Sequence, residues 1–351
     1  MTTDAYGGPG GATGDGTTDD RVAIETVISA AASAGKSVYF PAGKYYLSGA
    51  GLTLPSNTTL RGDGDNSVLK RYDSGDRPSL LFTRTESVTT APTRNITISH
   101  LKLTGTGLGE PYIASLILMN FNFTENITID NVTGDLGLYF LKCDGQTANC
   151  TFRITDCVTT ENVHMPFFTA HIAGGLIDGC TLGATRSGTA MGGHPHHFYF
   201  ADYTTNVTVT DCRLTGGQSQ SLHVYPGGAD NILFDGITME DIHSCAIVEG
   251  NTGPVTMKNL TLTSNTRYRS EFYFLSLAAA SNVTLEDFIV HMPENNGDYL
   301  VYTSYGSSNN VIRNGTITNS VYTPTGCLAL YDGTIPVYDN VTVNGTVVSD
   351  L

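Results

Sequence analysis

Residues 206–214 read NVTVTDCRL: two short apolar-alternating fragments on either side of a single aspartate, Asp211. The phrase recurs along the chain as NITISHLKL (95–103), NITIDNVTG (126–134), GGLIDGCTL (174–182), NILFDGITM (231–239) and NVTLEDFIV (282–290). The residues at the Asp211 position are His100, Asn131, Asp156, Gly179, Gly236, Asn259, Asp287, Asn314 and Asn340, most of them types that tolerate a left-handed backbone. Each therefore marks a one-residue bend between two strands. Successive bends lie roughly 23 to 32 residues apart, a period that signals a solenoid.

A third apolar run stands upstream in each period, as in HHFYFAD (196–202), SLHVYP (221–226) and CAIVEG (245–250). Three strands per turn without crossover helices define an all-β, single-stranded right-handed parallel β-helix of about ten coils, stacked at about 4.8 Å. Cys157, Cys180 and Cys212 each follow a bend and are expected to stack inside as free thiols, while Cys143 and Cys150 are close enough in sequence to oxidise. Residues 1–50 are expected to form an N-terminal cap, with a helix over about 21–34 capped by Asp19 or Asp20, stopped at Gly35 and followed by the first strand. Residues 51–351 form the β-helix, giving one domain overall.

The net charge of −15 is scattered and no basic stripe is present, which excludes nucleic acid as a partner and disfavours a polyanionic sugar. No run is long and apolar enough for a membrane span, and the first residues lack the pattern of a signal peptide. An extracellular or virion-associated protein is expected.

The stretches GDGTTDD (14–20) and AGKSVYFPAGKYYLSG (34–49), with the helical segment between them, resemble the N-terminal signature of the pectate-lyase-like β-helix superfamily. That superfamily includes polygalacturonase-type hydrolases, polysaccharide lyases and phage tailspike depolymerases. The resemblance implies a polysaccharide substrate and, through the tailspikes, leaves a homotrimer open. The chain lacks the Asn-Thr-Asp and Gly-His-Gly motifs of polygalacturonases, and it has no tryptophan, which the pectate lyase strand motif requires. HPHH (194–197) is faintly similar to the Asp-Pro-His motif of alginate epimerases.

Aligning the third strands puts Phe198, Leu222 and Ala246 in one inward column and Phe200, Val224 and Val248 in another. His197, Tyr199, His223, Tyr225 and Glu249 are then expected to face outward, with Asp202 at a strand end. His171, Lys142 and Asp144 flank this face on one side, and Tyr273, Glu271 and the basic stretch containing Arg267 on the other. Asp202 and Glu249 suit the acid and base of a glycoside hydrolase; His223 and Tyr225 suit a lyase. The substrate-binding set is His197, Tyr199, His171, Lys142, Tyr273 and Arg267. Cleavage of a polysaccharide, hydrolysis ahead of elimination, is the expectation, with a non-catalytic glycan-binding phage-tail-type protein as the alternative. The closely spaced His194, His196 and His197 do not make a zinc site, no cofactor is expected, and calcium bound by Asp and Glu oxygens stays open.

Overall fold

The backbone turns left-handed at all ten expected bends, from His100 to Asn340, with φ between 50° and 70°. A computed structural model of the chain describes residues 11–71, 79–83, 91–105, 116–145, 150–160, 163–184, 196–217, 220–242, 244–263, 274–292, 301–319, 328–331 and 334–348. Around Asp211 the bend separates strand Thr205–Thr210 from strand Arg213–Gly216, and both pair in parallel with the same segments of the coils before and after. The result is an all-β right-handed parallel solenoid of about ten turns with one helix among the described residues. The third strands stack into an eleven-stranded sheet running from Leu52–Leu54 to Leu328–Tyr331, and the other two strands of each coil build the second sheet.

A second column of left-handed residues, near the start of the strand before the bend in most coils, was not anticipated. Asn57, Asn95, Asn126, Asn206, Asn231, Asn282 and Asn309 occupy it. Their side-chain amides bond from coil to coil: Asn95 Nδ2 donates to Asn57 Oδ1 at 2.8 Å and Asn231 Nδ2 to Asn206 Oδ1 at 2.8 Å. The Asn-x-Thr triplets are thus the product of a ladder in which asparagine supplies both the backbone conformation and the cross-link.

One continuous core runs from Ile24 to Val348. Within it, the rings of Phe167 and Phe198 lie 5.4 Å apart and nearly parallel. Cys157, Cys180 and Cys212 are buried free thiols, as the repeat implies, and hydrogen bonding within the column and burial hold the Cys157 and Cys212 thiols in their neutral form. Cys143 and Cys150 are also free, with their sulfurs 3.1 Å apart.

The helix spans Arg21–Ser33 and ends at Ala34 and Gly35, burying Ile24, Ile28 and Ala31 in the same core as Val38 and Phe40. Its first turn differs from expectation. Asp20 holds the N-cap position without a side-chain cap bond, because its buried carboxylate instead accepts the backbone N–H groups of Thr13 at 2.6 Å and Gly14 at 3.1 Å. At the other end, strand Val337–Val343 pairs antiparallel with Thr346–Val348 through Asn344 and Gly345, both at positive φ. This hairpin departs from the all-parallel expectation, although Asn-Gly is the dipeptide such a turn selects.

Candidate functional site

The third-strand register matches the expected columns: Tyr199 pairs with His223 and His223 with Ile247, flanked by the buried pairs Phe198–Leu222 and Phe200–Val224. Alternation therefore turns Tyr199 and His223 away from the core, although His223 is buried among its neighbours rather than exposed as expected; Tyr225 follows His223, and Glu249 follows Ile247, two positions along.

His197 corrects the expectation that it binds substrate. It precedes strand Phe198–Ala201 at a corner where alternation lapses, and it is fully buried beside the buried Phe198. Thr215 O, which can only accept, lies 3.0 Å from Nε2, so Nε2 carries the proton and Nδ1 accepts from the Ser221 hydroxyl at 3.1 Å. Burial lowers its pKa to about 4, which makes it a neutral structural strut.

Its neighbour His196 joins the site instead. His196 Nδ1 lies 2.7 Å from Gln220 O and must donate to it, which leaves Nε2 as an acceptor. That nitrogen stands 3.2 Å from His223 Nδ1, which therefore supplies the proton. His223 Nε2 is then the open end of the relay, shut off from solvent and 3.5 Å from Glu249 Oε2. A bare ring lone pair facing a carboxylate is repulsive, so the wiring places a proton between His223 and Glu249. Glu249, the more exposed of the two, is the partner that can pass it outward.

Aromatic rings enclose this pair. Tyr199 packs at 4.7 Å from His223, 5.3 Å from Tyr225 and, nearly parallel, 5.1 Å from Phe168. Burial, reinforced by Tyr225, Glu249 and Asp202, pushes the Tyr199 phenol well above its ordinary pKa, so it stays protonated. Asp202 lies half-buried against Gly227 at the strand end. Lys142 occupies the same column as Tyr199 two coils earlier, with Phe168 between them. His171 is fixed by Asp144, Nδ1 to Oδ1 2.8 Å, and its ring stacks on Tyr203 at 5.7 Å. His194, Arg267, Glu271 and Tyr273 lie outside the described residues. Among the described residues no group of three or more His, Cys, Asp or Glu side chains is arranged to hold a metal ion.

Sequence reasoning left His196 out of the outward-facing set and passed over Tyr203. His196 was recoverable by running the Gln220–Ser244 register back one coil. Tyr203 has no such signal, since tyrosine does not announce a left-handed bend.

A family model described as rhamnogalacturonase A/epimerase, pectate lyase-like, matches residues 10–222. Mannuronan C5-epimerase AlgE1 of Azotobacter vinelandii is 34% identical over 166 residues, 43% of this chain and 12% of that protein. The preneck appendage protein of Bacillus phage PZA is 44% identical over 97 residues, 27% of this chain and 10% of that protein. The chain thus spans a small part of the length of these relatives. The A-module of A. vinelandii mannuronan C-5 epimerase AlgE6 superposes with a TM-score of 0.67 at 22% identity, covering 96% of this chain and 97% of the module.

Proposed function

This chain belongs to the rhamnogalacturonase A/epimerase, pectate lyase-like family, and from that premise we propose that it modifies a polysaccharide through an acid–base centre formed by Glu249 and His223. The observation that carries the proposal is the relay from Gln220 O through His196 and His223 to Glu249, which stores a proton beside two tyrosines on an outward face. Such a centre suits proton transfer at the carbon bearing a uronate carboxylate. Glu249, backed by His223, removes the carbon-bound proton. The electron pair then expels the glycosidic oxygen, which takes the proton of the neutral Tyr199 phenol, or that phenol reprotonates the carbon from the opposite side and inverts it. Lys142, in the same column as Tyr199, is the cation available to the carboxylate. The likeness to mannuronan C5-epimerases supports this choice over the hydrolysis expected from composition.

Hydrolysis by Glu249 and Asp202 is the second reading. Their strands are two coils apart, about 10 Å by strand spacing, at the upper end of the separations inverting enzymes use. The likeness to phage preneck appendage proteins supports a virion setting and, in the limit, binding without turnover. In the same scheme the helix Arg21–Ser33 shields the first coil.

The test is a panel of neutral and uronic polysaccharides followed by absorbance near 235 nm, reducing ends and the NMR signal of the inverted carbon. Glu249→Gln is expected to lower turnover by about 100-fold or more, with His223→Ala similar and His196→Ala milder. New reducing ends without new absorbance, lost in Asp202→Asn, would move the reaction to hydrolysis. Turnover indifferent to Glu249→Gln would remove the proposed centre.

A further inference from the structure

Beside this face the chain turns a corner, and the residues there break the pattern of the two bend columns already described. The two bend columns already described use asparagine, aspartate or glycine almost throughout. The corner after the third strand instead carries Tyr203 at φ 50° and Tyr305 at φ 54°, conformations that are sterically costly for a bulky side chain. Both rings project into solvent, with 66% and 69% of their surface exposed. Exposure means that neither ring gains core packing in return for the strain.

The surroundings of Tyr203 hold its plane in place. His171 backs the ring, Asp144 fixes His171, and Gly228 lies beneath, where a Cβ would come 3.1 Å from Tyr203 Cδ1. Between the tyrosines the corner carries the small residues Gly228, Gly250 and Ala279, with Thr252 beside Gly228 and Pro226 against Gly250. Backbone bonds from Tyr203 N to Gly227 O, Gly250 N to Ala278 O and Ala279 N to Ser304 O, with the Val224–Val248 strand pair between them, place these residues on successive coils. Tyr203 and Tyr305 are thus four coil steps apart, about 19 Å at the usual strand spacing. Glu249 immediately precedes Gly250, on the middle coil.

We infer that this corner is a stacking rail for an internal stretch of polysaccharide, with pyranose rings seated on Tyr203 and Tyr305 and the reacting unit beside Glu249 between them. An exposed tyrosine offers an apolar plane to the C–H face of a sugar and a hydroxyl to its rim, which is the combination a pyranose needs. The small residues between the rings keep the path low, so that the polymer can run from one ring to the other and leave at both ends. The inference rests on the proposed function for the location of the reacting unit, whereas the binding it describes does not require turnover.

The experiment measures binding of the polysaccharide panel by affinity electrophoresis and calorimetry for the wild type, Tyr203→Ala, Tyr305→Ala, Tyr203→Phe and Tyr203→Asn, together with kcat and KM. Each alanine variant is expected to bind about tenfold more weakly and to raise KM with kcat nearly unchanged, while the phenylalanine variant keeps most of its binding. Tyr203→Asn is expected to raise the melting temperature while weakening binding, a trade that loss of folding cannot imitate. Wild-type binding lost in the alanine variants, without turnover by any of the proteins, upholds the rail and overturns the catalytic proposal. Turnover and binding unchanged in both alanine variants overturn the rail alone, and a wild type that binds no polymer overturns both.

Discussion

His196 and His197 are adjacent in sequence and opposite in fate. His196 hands its Nε2 to the relay, while His197 is sealed between Ser221 and Thr215 as a neutral ring. The second environment sets a pH dependence whose sign follows from burial. Below pH about 6.5 the unfolded chain binds a proton at His197, whereas the folded chain does so only near its lowered pKa of about 4. Stability contributed by the neutral ring is therefore complete above about 6.5 and is lost as the pH falls toward 4, up to about 3 kcal/mol for a shift of this size. His164, lowered by burial to about 4 as well, adds in the same direction. Thermal melts between pH 7.5 and 4.5 are expected to show a falling midpoint in the wild type and a flatter, lower curve in His197→Gln. An identical slope in the two proteins would show that His197 takes up protons equally in both states.

At the scale of strands and bends, the sequence was legible wherever one backbone conformation selects one residue type. The left-handed bend at each coil draws on asparagine, aspartate and glycine, so Asp211 and its equivalents could be aligned by eye, and the third-strand register followed from apolar alternation. The same logic fails at corners. His197 has the parity of an outward residue yet turns inward, because alternation is a property of strands and not of the residue before one. Tyr203 gave no sign of its bend. Packing between coils was also hidden: Gly175 lies over Phe152, where a Cβ would meet the ring at 2.3 Å, and Gly315 lies likewise over Phe288 at 1.9 Å. These glycines are there to make room for a neighbour's ring in a close-packed stack. Gly175→Ala is expected to destabilise the protein by about 1–3 kcal/mol through overpacking, measured by urea titration, and Phe152→Leu in the same chain is expected to recover part of that loss. Strict additivity of the two substitutions would mean that glycine and ring do not share the space.

At the scale of the whole molecule, charge decides how a substrate arrives. The chain carries 33 acidic against 18 basic residues, and several arginines are already engaged: Arg94 by Glu125, Arg213 by Glu240 and Arg313 by Glu286, each from a neighbouring coil. These exposed pairs add little stability, but they remove cations from the field a polyanion would meet. A uronic polymer must therefore approach against a repulsive potential and be held by contacts made only at short range, the Tyr203 platform and the Glu249–His223 centre. Screening weakens the long-range repulsion and leaves the contacts intact, since the Debye length shrinks from about 30 Å at 0.01 M salt to about 8 Å at 0.15 M. For a uronic substrate KM is accordingly expected to fall several-fold over that range of monovalent salt while kcat holds steady, which is opposite to the trend of an enzyme that attracts its polyanion. A KM indifferent to salt would identify the polymer as neutral, and with no carboxylate to acidify the carbon-bound proton, the chemistry at Glu249 would have to be hydrolysis.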